Sequence, residues 1–218
     1  MKHFFFGLFL LANLALRGQG SIITEDKPFS IDRSKDSAVL DLYIGLEGYR
    51  SLEDSEKEYL YWVNKMRINP AAFYSGYIQP FLRQFPEARS EEVDGLSRDM
   101  ATYGVLSVLS PISKLNMASA QHASYLASRG KISHTGRGGS SFPERMKTVG
   151  VTGCAGEVIF DGKDDVLVGL ILLLIDHGVP GLGHRKALLN PDFSHTGIAI
   201  RISGEQRTIL VQDLACKQ

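Results

Sequence analysis

Three histidines and one glutamate stand where side chains could do chemistry. His134 lies in the glycine-rich stretch GKISHTGRGG, and His184 lies in GVPGLGHRKALLN, behind three glycines and a proline. His177 follows Asp176 at the end of an apolar run, and Glu157 opens the apolar segment CAGEVIF. An acid at the mouth of an apolar strand is costly to bury without a hydrogen bond or a counter-charge, so Glu157 is expected to face a pocket or a partner. Imidazoles serve as bases, metal ligands or hydrogen-bonding groups near neutral pH. His134, Glu157, Asp176 and His184 could equally pin loops together through satisfied hydrogen bonds.

The motif test narrows the chemistry. There is no H-E-x-x-H and no tight Cys/His cluster. His134 and Glu157 are 23 residues apart and Glu157 and His184 are 27 apart, so a metal site exists only if the fold gathers these loops. No G-x-S-x-G is present, and GGSSF reads as a turn rather than a nucleophile elbow. Cys154 has no base beside it. With Cys216 it makes an even count, which in an exported chain invites a disulfide; two unpaired thiols are the alternative.

The elements that must position these residues follow from periodicity. SLEDSEKEYLYWVNKMRINP predicts a helix capped near Ser51 or Ser55 and ending at Asn69, with Tyr59, Trp62, Val63 and Met66 on a buried face. Residues 74–110 read as a long connection with short helices. SKLNMASAQHASYLASRG is an amphipathic helix stopped by Gly130, and SSFPERMKTVG a short helix capped by Ser141 with Pro143 in its first turn. AGEVIF is a strand, DDVLVGLILLLIDHG a buried helix closing on Gly178, and HTGIAIRI with RTILVQDLA a terminal hairpin. This order predicts an α+β layered domain. Tyr59, Trp62, Phe73 and Tyr125 read as core, His122 as half-buried, His195 as exposed or capping, and Arg185 as a solvated charge.

The chain of 218 residues is 44% hydrophobic and 22% charged, enough for one packed domain. Its first twenty residues, MKHFFFGLFLLANLALRGQG, have a basic start, an apolar run from Phe4 to Leu16 and small residues at Gly18 and Gly20. This is a signal-peptide pattern, and the run is short for a membrane span. Residues 1–20 are therefore expected to be a signal peptide, 21–50 an N-terminal arm and 51–218 the folded domain, giving a secreted or periplasmic protein. Cleavage removes Lys2 and Arg17 and no acid, leaving 22 basic against 24 acidic residues and a net charge of −2. Such a surface argues against nucleic acid as a partner, and no second apolar stretch is long enough for a stable membrane span.

ISHTG, AGEVI and GHRKALLNPDFSHTGIAI occur in the order and at about the spacing seen in the CAP superfamily: cysteine-rich secretory proteins, antigen 5 and plant pathogenesis-related proteins. WVNKMRINPAAF resembles the family's first helix, ASAQHASYLASRGKISH the helix leading to its first histidine, and GHR through LLNP and GIAI its bacterial branch. The resemblance spans roughly residues 55–215. It implies a three-layer α–β–α sandwich of the CAP/SCP type with a small antiparallel sheet, secretion, and a cleft lined by two histidines and two acids. Position by position, His134 matches the first histidine, Glu157 the first acid and His184 the second histidine. Asp176 stands nearest the second acid, as Asp where animal members carry Glu. The chain departs from the family at Val158, commonly Asn, and lacks the many cysteines of eukaryotic members. A divalent metal such as zinc on His134 and His184 is compatible with this set. So is a metal-free network in which Glu157 orients a histidine. The expected function is a binding module for a small ligand, lipid, glycan or peptide, since fold alone implies no activity. The alternative is a metal-assisted hydrolase with Glu157 moving the proton.

Overall fold

The computed structural model describes residues 27–163, 165–204 and 206–217. The signal-peptide reading of 1–20 and the first part of the arm lie outside them. In chain order the helices are α1 (Ser37–Leu40), α2 (Glu47–Arg50), α3 (Asp54–Ile68), α4 (Pro70–Phe73), α5 (Gln79–Gln84), α6 (Glu91–Thr102), α7 (Ser113–Arg129), α8 (Phe142–Thr148), α9 (Val166–Ile175) and α10 (Gly183–Leu188). The strands are β1 (Ser110–Pro111), β2 (Ala155–Gly162), β3 (His195–Ile202) and β4 (Thr208–Ala215). A π-helical turn over Tyr74–Ile78 joins α4 to α5.

The sheet order is β1-β3-β4-β2. β4 pairs antiparallel with both β2 and β3, as the hairpin pattern predicts, while β1 adds parallel to β3. The sheet is thus mixed rather than wholly antiparallel. The cause lies in α3: the Asn64 amide donates to the Leu109 carbonyl at 3.1 Å and accepts from the Leu109 N–H at 2.8 Å, fixing the backbone just before β1.

Side chains alternate across the strands. On one face Val158, Phe160, Ile198, Leu210 and Leu214 join the main core with α3, α9 and α10. On the other, Ile159, Ala199, Ile209 and Val211 pack under Ala123 and Leu126 of α7. This is a three-layer α–β–α sandwich. Phe29, Val39 and Tyr43 are buried in the main core, so the arm is part of the body, with Asp36 capping α1 by accepting from the Ala38 N–H at 3.0 Å. The helix after the arm begins at Asp54, not at Ser51 or Ser55, because Glu53 and Glu56 form a reciprocal capping box.

α7 approaches β3 at Gly197. A Cβ built there would lie 2.1 Å from the Leu115 carbonyl carbon, a backbone atom that cannot swing aside. Gly197→Ala is therefore expected to cost about 2–3 kcal/mol by lifting α7 from the sheet, read as a lower midpoint in urea. An alanine variant within experimental error of the parent would disprove the contact.

Candidate histidine–carboxylate site

Glu157 sits on the α7 face of β2, the edge strand of the sheet. α7 ends at Gly130 in the left-handed region, φ 62°, and the chain returns through Ser133 and His134 toward β2. There His134 Nδ1 meets Glu157 Oε1 at 2.8 Å. The carboxylate can only accept, so Nδ1 carries the hydrogen of this contact and Nε2 is the ring nitrogen turned away from it. The His134 side chain is 61% exposed and that of Glu157 2%. One member presents an imidazole to solvent and the other is a buried anchor.

Glu157 needs more than one imidazole to offset its burial, and Arg145 of α8 supplies the charge. Its Nη2 pairs with Glu157 Oε2, and its Nη1 donates to the His134 carbonyl at 2.7 Å. Arg145 thus locks the carboxylate and the loop carrying its histidine at once. In the sequence, SSFPERMKTVG shows a short capped helix, and nothing in it singles out Arg145. An arginine two positions after a helix-starting proline carries no signal of its own until the register of α8 against β2 is known.

Three further polar residues lie beneath this pair. Asp213 stands opposite Glu157 in the β2–β4 register, and Ser119 of α7 donates to Asp213 Oδ2 at 2.8 Å. Burial, and then the neighbouring Glu157 charge, push the Asp213 carboxyl up to about 8. His122 is buried rather than half-buried: Nε2 donates to the Ser133 carbonyl at 2.9 Å and lies 3.7 Å from Glu157 Oε2. Desolvation lowers its pKa, so the ring is held neutral.

The second pair forms across a tight loop. α9 closes at Asp176 rather than Gly178, with Asp176 itself left-handed at φ 59°. That conformation turns the carboxylate toward α10. Asp176 Oδ1 accepts from His184 Nδ1 at 2.7 Å, and Oδ2 accepts the backbone N–H groups of His184 and Arg185 at 3.0 and 3.2 Å. Asp176 therefore caps α10 from eight residues upstream and fixes the His184 ring. The Asp176 side chain is fully buried and that of His184 16% exposed. Arg185, expected as a solvated charge, is instead buried. It donates to the Leu174, Ile175 and Glu92 carbonyls and pairs with Asp99 at 3.0 Å, tying α6, α9 and α10 together.

The four sequence candidates thus fall into two pairs, His134 with Glu157 and Asp176 with His184. α10 packs against β2, so both pairs border the same edge strand from different layers. Cys154 and Cys216, just outside the paired ends of β2 and β4, are bridged with their Cα atoms 5.5 Å apart. His177 meets Glu92 at 3.2 Å on the surface, and His195 Nδ1 faces Ser194 Oγ at 3.0 Å.

In both pairs a carboxylate holds Nδ1 and leaves Nε2, the orientation of metal-bound histidines. The rest of a catalytic zinc centre does not fit. Such a centre takes three protein ligands, and among the described residues no three His, Cys, Asp or Glu side chains gather to hold an ion. The Arg145 guanidinium on Glu157 opposes a second cation there.

A three-layer α–β–α sandwich with two carboxylate-held histidines at one edge strand defines a protein of the CAP/SCP class. The profile of the cysteine-rich secretory protein (CAP) family matches residues 60–214, and the chain belongs to that family. Two solved structures are similar. An outer surface protein of Borrelia burgdorferi is 17% identical, with 59% of this chain and 95% of that one covered and a TM-score of 0.44. An extracellular protein containing an SCP domain from Bacillus anthracis is 18% identical, with 62% of this chain and 43% of that one covered and a TM-score of 0.41. No curated protein matches the sequence. Among the described residues, no helix is long and apolar enough to cross a membrane.

Proposed function

We propose that the protein is a secreted or periplasmic binding module whose ligand is a small molecule, lipid, glycan or peptide held by His134 and His184. Residues 1–20 act as the export signal, 21–50 as the arm and 51–218 as the CAP domain. The Cys154–Cys216 bridge suits an oxidising compartment. The observation that carries the reading is that both oxygens of the buried Glu157 carboxylate are already engaged. His134 takes Oε1 and Arg145 takes Oε2, so the residue best placed for general-base work is committed to positioning. What remains for a ligand is Nε2 of each imidazole, oriented from behind.

The test screens glycans, fatty acids and short peptides by ligand-observed NMR, with Zn²⁺ alone measured by equilibrium dialysis. The expected result is saturable binding without turnover, weakened about tenfold or more by His134→Ala, retained in Glu157→Gln, and no stoichiometric zinc. Zinc bound one per chain, together with hydrolysis of a model ester or peptide that both His134→Ala and His184→Ala abolish, would replace the module with the metal-assisted hydrolase.

A further inference from the structure

Beside Arg145, α7 and α8 part to leave a cavity of about 710 Å³. This is within the range of small-ligand sites. Neither His134, Asp176 nor His184 lines it, so it is distinct from the proposed imidazole site. Its walls divide into two kinds of surface. Ala118, Ala120, Val149 and the Tyr125 ring are apolar, and the two alanines of α7 are what leave the slot open. The polar residues at the rim are mostly occupied. Arg145 is held by Glu157 and the His134 carbonyl. The Glu144 carboxylate accepts from the Ser141 N–H and hydroxyl, both at 2.7 Å, as the cap of α8.

Arg137 differs. It stands on the short glycine turn Arg137–Gly139 with its guanidinium 5.4 Å from the centroid of the Tyr125 ring, and it pairs with no carboxylate among the described residues. Arg129 approaches the same ring at 5.7 Å and donates to its hydroxyl at 3.0 Å. Behind Tyr125 the buried ring of His122 is stacked at 25°. His122 is neutral, so it adds no charge to the wall. The cavity therefore combines flat π surfaces, an apolar floor and a permanent positive charge that no carboxylate among the described residues pairs, Glu144 at the rim being engaged by Ser141. Guanidinium and aromatic planes stack on other flat π systems, and a guanidinium forms two parallel hydrogen bonds to a carboxylate or sulfonate.

We propose that this cavity is a binding site for a flat aromatic acid, its ring system lying along Tyr125 between α7 and α8 and its anionic group on Arg137. The probe is 1-naphthoate, titrated into the full-length folded protein and followed by calorimetry and saturation-transfer NMR, with neutral 1-naphthalenemethanol as the matched control. The expected result is one saturable site per chain, with the alcohol binding at least tenfold more weakly. Arg137→Ala should weaken naphthoate about tenfold and Arg137→Lys less, because the ammonium keeps the charge but not the fork. Tyr125→Ala should weaken both compounds together by removing the stacking face. Arg137 is exposed, so its variants fold, and circular dichroism checks Tyr125→Ala. Equal affinity for acid and alcohol, or naphthoate binding unchanged in Arg137→Ala, would overturn the proposal. So would naphthoate binding lost in His184→Ala and kept in Arg137→Ala, which would move the ligand to the imidazole site and leave that reading standing alone.

Discussion

Arg67→Met is expected to remove about 5 kcal/mol of stability, which is a third or more of what a folded domain commonly has. Arg67 is fully buried on α3 and has no carboxylate partner among the described residues; burial pulls its pKa down to about 10. Its guanidinium is instead filled by backbone carbonyls. Nε donates to Ser107 at 2.8 Å, Nη1 to Leu188 at 2.8 Å and Asn190 at 3.1 Å, and Nη2 to Phe193 at 2.8 Å. Methionine fills much of the volume but leaves four carbonyls facing an apolar gap, each without water. Arg67→Lys should recover less than half, since three donors on one nitrogen cannot reach four divergent acceptors. Urea unfolding at pH 7 reads both values. A methionine variant within 2 kcal/mol of the parent would mean water replaces the guanidinium and the account is wrong.

The effect reaches the histidine pairs. Three of the carbonyls held by Arg67 belong to the end of α10 and the chain leading into β3, and the fourth, that of Ser107, to the chain leading into β1. Phe193 packs so closely over Gly156 that a Cβ there would lie 3.1 Å from its ring. Gly156 precedes Glu157. A loosened Phe193 therefore frees the first turn of β2, and the His134 contact should broaden in NMR even where the variant remains folded.

Much of this arrangement is legible from residue order because it depends on local periodicity. The helical stripe of Tyr59, Trp62 and Met66, the stop at Gly130, the cap at Ser141 and the terminal hairpin each follow from neighbours within one or two turns. The four candidates His134, Glu157, Asp176 and His184 came from family resemblance, as the lining of one cleft; their division into two pairs depends on contacts across 23 residues in the first and across a left-handed turn in the second. What stayed hidden depends on registers set at long range. Asp213 sits in RTILVQDLA as an acid in an apolar strand, a visible anomaly, but its place opposite Glu157 depends on the β2–β4 register. Arg185 read as a surface charge because the carbonyls that take it come from α6 and α9. His122, mid-helix, gave no sign of the Ser133 carbonyl that the chain folds back to present.

Asp213→Asn is expected to make the protein more stable at pH 8 while changing it little near pH 4. In the unfolded chain the Asp213 carboxyl titrates at its ordinary value of 3.8, and in the folded protein at about 8. Between those values the unfolded chain has released a proton that the folded protein retains, so this group makes stability fall as pH rises from about 4 to about 8. The linked penalty is on the order of 5 kcal/mol at its upper end. The cause is geometric: two buried carboxylates face each other across β2 and β4, and the one cation in contact, Arg145, lies on Glu157. Ionising Asp213 as well would place a second negative charge in the same dry space, beside a single Ser119 hydroxyl. Asparagine keeps what the neutral acid provides. Its Oδ1 can accept from Ser119, and its Nδ2 can donate toward Glu157, with no proton to lose. Chemical unfolding at pH 4, 6 and 8 should give parent and variant curves that converge at the acid end and separate steadily above it. If the parent instead gains stability from pH 6 to 8 and the variant is weaker throughout, Asp213 is ionised in the fold and Arg145 serves both acids. The distinction matters at the surface, because a neutral Asp213 leaves the Glu157–Arg145 ion pair as the charged support behind His134, and Glu157 as the one ionised carboxylate of that support.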